Sequence, residues 1–247
     1  MPGLVRAELI KLTTTKTALG LVVGGSAVAA LGAFSTIMSA STEDLARPVH
    51  DQHFFMLASI NLALFALVLG IRSVTDEFRH GSIVPTLLVA PKRSRVVVAK
   101  VAMSGAAGAA MSAVAQTAML ALAVPLIAAK GSGPSFEAAD LAAVGGLVVA
   151  GALWAAIGAA VGAIVRYQVA AVVGALVWVL VLENLGSVFL GDAGRFLPGQ
   201  AAHAVAQATQ AGSLLAPATG AVVRVAYVLA ASAAAALRTT RSDIALT

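Results

Sequence analysis

An all-α integral membrane fold of six transmembrane helices follows from three observations. These are six long apolar stretches, a shortage of charge, and cations confined to the short segments between the stretches. Of the 247 residues, 60% are hydrophobic and only 11% are charged; the mean hydropathy is +0.94. A soluble domain carries roughly 45–50% apolar and about 25% charged residues. So few charges cannot cover a water-facing surface, so much of this surface must face lipid. The sequence pI of about 10.1 invites a nucleic-acid reading. The cations, however, flank apolar runs, as membrane proteins place them, and no nucleic-acid partner is expected. With no cysteine in the chain, disulfides, thiol nucleophiles and zinc–thiolate sites are excluded.

The elements form a single transmembrane domain over 1–247. Residues 1–17 predict an amphipathic interfacial helix. Val5, Leu9 and Leu12 share one face, Glu8, Lys11 and Thr15 another, and Glu8 and Lys11 stand close enough to pair. The plainer alternative is a short basic tail. A bilayer core needs about 20 predominantly apolar residues per helix, and the stretches 18–38, 54–72, 101–129, 141–165, 168–188 and 216–237 qualify. The first of these is too long for a signal-peptide core, so an uncleaved span is expected. In the loop after it, His50, Asp51 and His53 read as a solvated patch rather than a metal site.

Loop charge sets the orientation. With the N-terminus inside, the cytoplasmic segments hold Arg6, Lys11, Lys16, Arg72, Arg79, Lys92, Arg93, Arg95, Lys100, Arg166, Arg238 and Arg241. The outer loops hold only Arg47, Lys130 and Arg195. That asymmetry predicts that both termini are cytoplasmic.

Residues 73–100 form the longest cytoplasmic segment, and it is patterned. Asp76 and Glu77 precede Phe78, Arg79, His80 and Gly81. Ser82 suits the N-cap of a short helix running to Ala90, Pro85 is tolerated in its first turn, and Pro91 stops it. Ile83 and Leu87 share a face, with Val84 and Leu88 beside them. Such an apolar strip outside the membrane asks for a partner groove, or else packs beneath its own bundle.

The run Glu77-Phe78-Arg79-His80-Gly81-Ser82, then Leu87-Leu88, Ala90-Pro91-Lys92-Arg93-Ser94-Arg95 and Lys100, resembles the first cytoplasmic loop of type-2 ABC exporter permeases. The opening Glu8-Leu9-Ile10-Lys11-Leu12 is similar to the interfacial helix of actinobacterial members. These motifs cover about 35 residues; the six-span layout covers the chain. The resemblance implies a coupling helix seated in a groove of a separate ATPase, with Glu77, Gly81, Ser82, Ile83, Val84, Leu87, Leu88, Pro91 and Arg95 as the coupling set. It further implies two ATPase subunits and a second permease subunit, homodimeric or heterodimeric, in the cell membrane. ATP and magnesium would be held by the ATPases. The chain has no Gly-x-x-x-x-Gly-Lys-Ser/Thr loop, so it would be a non-catalytic subunit, with no cofactor of its own. A membrane scaffold or a transporter of another class is the alternative. An intramembrane enzyme is disfavoured, because no His or Asp falls within the spans.

Small residues crowd the spans, with Gly20 and Gly24 in the first and Gly158 and Gly162 in the fourth. This spacing lets helices approach closely, within one subunit or at a dimer seam. Segment 186–215 is only modestly apolar; the resemblance implies short helices here that lie at, or dip into, the outer leaflet, and a plain surface loop is the alternative. Asn61, Gln116, Glu183, Asn184 and Arg224 are the polar residues inside spans, candidates for a cavity or gate. Asn61 and Gln116 serve equally as interhelical hydrogen-bonding groups. Glu183 and Arg224 lie about one helical turn apart in depth below the outer surface and can pair, within one subunit or across a dimer, close to the outer gate; the alternative is that Glu183 sits among the headgroups and Arg224 reaches water alone.

Overall fold

The computed structural model describes residues 15–46, 53–82, 93–132, 137–205 and 215–241. Among them there is no strand. Helix α1 (Lys16–Ser39) is followed by a single turn, α2 (Thr42–Leu45), then α3 (His53–Arg79), α4 (Arg93–Ala129) and α5 (Ala138–Val165). Next comes α6 (Gln168–Val177), which passes through a π-helical turn, Trp178–Leu182, into α7 (Glu183–Phe189). A 3₁₀ turn, Gly191–Phe196, leads to the short α8 (Pro198–Val205), and α9 (Pro217–Arg241) ends the described chain.

Among the described residues, five stretches are long and apolar enough to cross a membrane: Lys16–Ser39, Ser94–Ala129, Asp140–Val165, Gln168–Phe189 and Pro217–Thr239. The span expected at 54–72 falls within α3. That helix is 27 residues long, but its last turns carry Arg72, Asp76, Glu77 and Arg79, and it is not one of the five. The expected interfacial helix and the apolar strip at Ile83, Val84, Leu87, Leu88 and Pro91 lie outside the described residues, as do His50 and Asp51.

Local chemistry fixes the helix ends. At the start of α5 a capping box joins Glu137 to Asp140, satisfying donors that no earlier turn can reach. Its other end closes on Arg166, a non-glycine residue in the left-handed region (φ 63°) whose N–H donates to Gly162 O at 2.9 Å. Lys130 reaches back to Met38 O (2.8 Å) and Ala40 O (3.2 Å), a cation at the carbonyl end of α1. Within α1, Ser26 and Thr36 donate to Val22 O and Gly32 O one turn earlier, so neither hydroxyl needs water.

Helix α5 is the post around which the bundle packs. Its neighbours are α3, α4 and α9. Ala155 and Trp154 sit in one cluster with Leu67, Ile71 and Met111; Ala156, Ala159 and Ala160 sit in another with Val74, Val97 and Ala235. Alanine and glycine make this possible, because the backbones nearly touch. A Cβ on Gly158 would collide with the Leu67 carbonyl, and one on Gly162 would lie 2.8 Å from Ile71 O. The Gly158–Gly162 pair is therefore spent within the subunit, on α3. Gly20 instead faces open space, and Gly24 lies 3.4 Å from the Phe65 ring for an added Cβ.

Gly158→Val should lose about 1–3 kcal/mol or more, since backbone on α3 cannot yield as a side chain would. Gly20→Val should be nearly neutral. Thermal unfolding of the two purified variants checks this; equal losses would contradict the assigned seam.

Candidate functional site

The 3₁₀ turn and α8 fold back against α7 and α9 as a hairpin. After α7 the chain reverses. Gly194 lies so close to Ser187 that an added Cβ would be 2.9 Å from its Cα, and Leu197 packs on Gly186. Then α8 runs antiparallel to α9: Pro198 meets Arg224, while Ala201 and Ala204 meet Gly220. The hairpin tip is thus Leu197-Pro198-Gly199. Glu183 lies six residues from the end of α7 and Arg224 seven from the start of α9, roughly 9–10 Å along each helix at 1.5 Å per residue. The two counts agree, which places the tip at that depth.

A chain reversal there presents backbone polar groups to apolar surroundings, and each needs a partner. Proline at the first position of α8 removes one unpaired donor, because it has no N–H. The Gly199 N–H donates to Glu183 Oε1. The carbonyl of the same peptide unit, Pro198 O, accepts from Arg224 Nη1 at 2.8 Å, and Arg224 Nη2 donates to Ala150 O on α5 at 3.4 Å. One peptide group is therefore gripped on both sides, by a carboxylate 4% exposed and a guanidinium 0% exposed. The expected direct pairing of Glu183 with Arg224 takes this form instead: they meet through the Pro198–Gly199 peptide, within one subunit. Glycine at 199 leaves the carboxylate in place, since a Cβ there would lie 2.6 Å from Glu183 Oε2 and displace it. The Arg224 guanidinium also stacks over Trp154, 4.4 Å from the ring centroid, a contact that strengthens when desolvated.

The π turn just before Glu183 sets its direction. The Glu183 N–H bonds to Trp178 O, five residues back, so the turn holds one extra residue and rotates the following side chains; such bulges recur at functional sites. Asn184 ties its own amide to Leu180 O at 2.9 Å. Between α3, α5, the π turn, α7 and α8 lies a cavity of about 110 Å³. Glu183, Asn184, Gln200 and His203 supply its polar wall, and Trp154 and Leu180 are among its apolar lining. His203, toward the outer end of α8, has its pKa lowered by burial and, secondarily, by the positive charge of Arg224. Its Nδ1 and the Arg224 Nε have no hydrogen-bond partner among the described residues.

The other polar residues singled out from sequence do not join this site. Asn61 is partly buried on α3. Gln116 is buried on α4, with neither amide atom partnered among the described residues. At the opposite end of the bundle, Lys100 Nζ and Glu77 Oε1 form a buried ion pair at 2.6 Å. Beside it Arg79 bonds Gln168 at 3.3 Å, Arg166 stacks over Phe78 at 5.4 Å, and Arg166 reaches Arg238 O at 3.5 Å. Gly81 has φ +68° and Arg95 is exposed. Trp154, Gly199, Gln200 and His203 escaped the sequence reading as site residues. The available signal was Phe196-Leu197-Pro198-Gly199 following a span that carries an acid: a helix start placed where only a short return could fit.

No protein-family model matches the chain, and no curated protein matches it.

Glu183→Gln and Arg224→Gln should each cost about 3–5 kcal/mol, because each leaves the other buried charge uncompensated. The double variant, neutral again, should lose less than the sum by about 0.5–3 kcal/mol. Unfolding of all four proteins measures this, and strict additivity would exclude coupling through the shared peptide. His203 gives a second expectation. Its folded-state pKa lies below the unfolded value of about 6.5, so the unfolded chain binds the proton first. Stability is full above that pH and falls as pH drops below it. His203→Gln should flatten this part of the profile between about pH 6.5 and 5; an unchanged profile would refute it.

Proposed function

We propose that the chain is the membrane-spanning permease subunit of an ATP-driven exporter. Two copies, or this chain and a homologous one, enclose the substrate path, and two separate ATPase subunits dock on the cytoplasmic side. In this reading α3 is the sixth span, both termini are cytoplasmic, and the protein resides in the cell membrane. No residue of this chain performs covalent chemistry; ATP and magnesium belong to the partner.

The observation that carries the reading is the Glu77–Lys100 ion pair. These residues open and close the stretch whose Gly-Ser, Leu-Leu, Pro and Ser-Arg spacing resembles the coupling loop of type-2 ABC exporter permeases. A loop that transmits force needs both ends anchored to the bundle. Here the side chains are 4% and 6% exposed, and breaking a pair so buried is costly. Motion of the loop is then passed to α3 and α4 together. The Arg79–Gln168 and Arg166–Phe78 contacts carry it on to α6, whose continuation bears Glu183. ATP binding would move this end, and the hairpin clamp would answer at the other as the outer gate.

Leu87→Asp should abolish ATPase stimulation by the reconstituted permease, since a buried carboxylate facing an apolar groove costs several kcal/mol. Insertion is checked in the same cells through single cysteines, for which the cysteine-free chain gives a clean background. A cysteine at Ser135 should react with an impermeant thiol reagent added outside, and one at Ser94 should not. Wild-type stimulation in the variant, or the reverse labelling, would overturn the reading.

A further inference from the structure

The cavity beside the hairpin carries an inference about what it binds. Glu183 is the one formally charged residue of its lining, and that carboxylate is already committed, with Arg224 behind the wall as its counterion. Glu183 accepts from Gly199, and Arg224, behind the Trp154 ring, donates to Pro198 and Ala150. Together they sum to zero. The remaining polar wall is uncharged: the amides of Asn184 and Gln200 and the His203 imidazole, kept neutral by burial and by Arg224. No further ionisable residue from α3, α5 or the π turn lines the space. A charged group entering would meet no free countercharge and would lose its hydration. A hydroxyl-bearing group would find both donors and acceptors.

Size and access narrow the class. About 110 Å³ is several times the roughly 10–15 Å³ that one water requires, enough for a head of a few heavy atoms. Leu180 lines the cavity and is 50% exposed, and exposed Asn184 lies one turn above it. The mouth therefore opens on the outward face of the span. Below Leu180 that face continues with Val173 and Val177, 53% and 46% exposed and one turn apart. A polar socket at the top of an apolar stripe matches an amphiphile.

We propose that this cavity is a binding site for an amphiphile with a small, uncharged, hydroxyl-bearing head, its apolar tail lying along the Val173–Val177–Leu180 stripe. This deepens the permease reading and rests on it only for the direction of movement; binding itself needs no ATPase.

The experiment uses the purified full chain in phosphatidylcholine nanodiscs, without ATPase, so its result is independent of coupling. Three probes share a twelve-carbon chain: monolauroylglycerol, dodecyl phosphate and dodecyltrimethylammonium. Trp178→Phe leaves Trp154 as the only tryptophan, and its fluorescence reports occupancy of the cavity. Monolauroylglycerol should bind saturably and at least tenfold more tightly than either charged probe. Asn184→Ala with Gln200→Ala should weaken it at least fivefold. Gln200→Glu, which adds an uncompensated charge, should shift preference to the ammonium probe and separates a site effect from misfolding. Equal response to all three probes, preference of the unmodified cavity for a charged head, or monoglyceride binding indifferent to all three substitutions would each overturn the proposal.

Discussion

A single peptide group governs the arrangement of this protein's functional end. Where a chain reverses among apolar helices, the N–H and C=O at the turn have no water to fall back on, and an unpaired one costs several kcal/mol. The tip at Pro198–Gly199 meets that demand with a carboxylate for the N–H and a guanidinium for the C=O. Neither charge would be tolerable there alone. Each makes the other acceptable, and the peptide between them spaces the two so that both hydrogen-bond as well as attract. The proline, the glycine, the π turn before Glu183 and the ring of Trp154 are all conditions for that geometry.

The rest of the bundle supplies rigidity by a different route. Between helices in lipid the hydrophobic effect contributes little, so close backbone approach and dispersion must hold them. Helix α5 is built for this, with Gly151, Gly158 and Gly162 pressed against α4 and α3. Placing the most closely packed helix in the centre leaves α6 and α7 with largely exposed apolar faces. That end of the bundle is thus packed less closely than its centre. At the basic end the Lys100–Glu77 pair plays the corresponding part, tying the two flanks of the patterned loop to helices that α5 holds.

Membrane character, the all-helical class and the placement of cations were legible in the sequence, because each is a property of local composition. An 18-residue apolar run can satisfy its backbone only as a helix in lipid, whatever surrounds it. The capacity of Gly158 and Gly162 for close approach was equally visible. Their partner was not, since the same spacing serves a neighbouring helix or a second subunit, and only the fold brought Leu67 and Ile71 against them.

The site divides the same way. From sequence alone Glu183 and Arg224 stand out as buried opposite charges about one helical turn apart in depth, because a charge within an apolar run is conspicuous against its neighbours. What they hold could not be read there. Pro198 and Gly199 look like ordinary turn residues, and Trp154, His203 and Gln200 lie in unremarkable local settings, far from Glu183 or Arg224 along the chain. Tertiary structure decided that these segments meet, because only the reversal of the hairpin creates the unpaired peptide group that a carboxylate and a guanidinium can share.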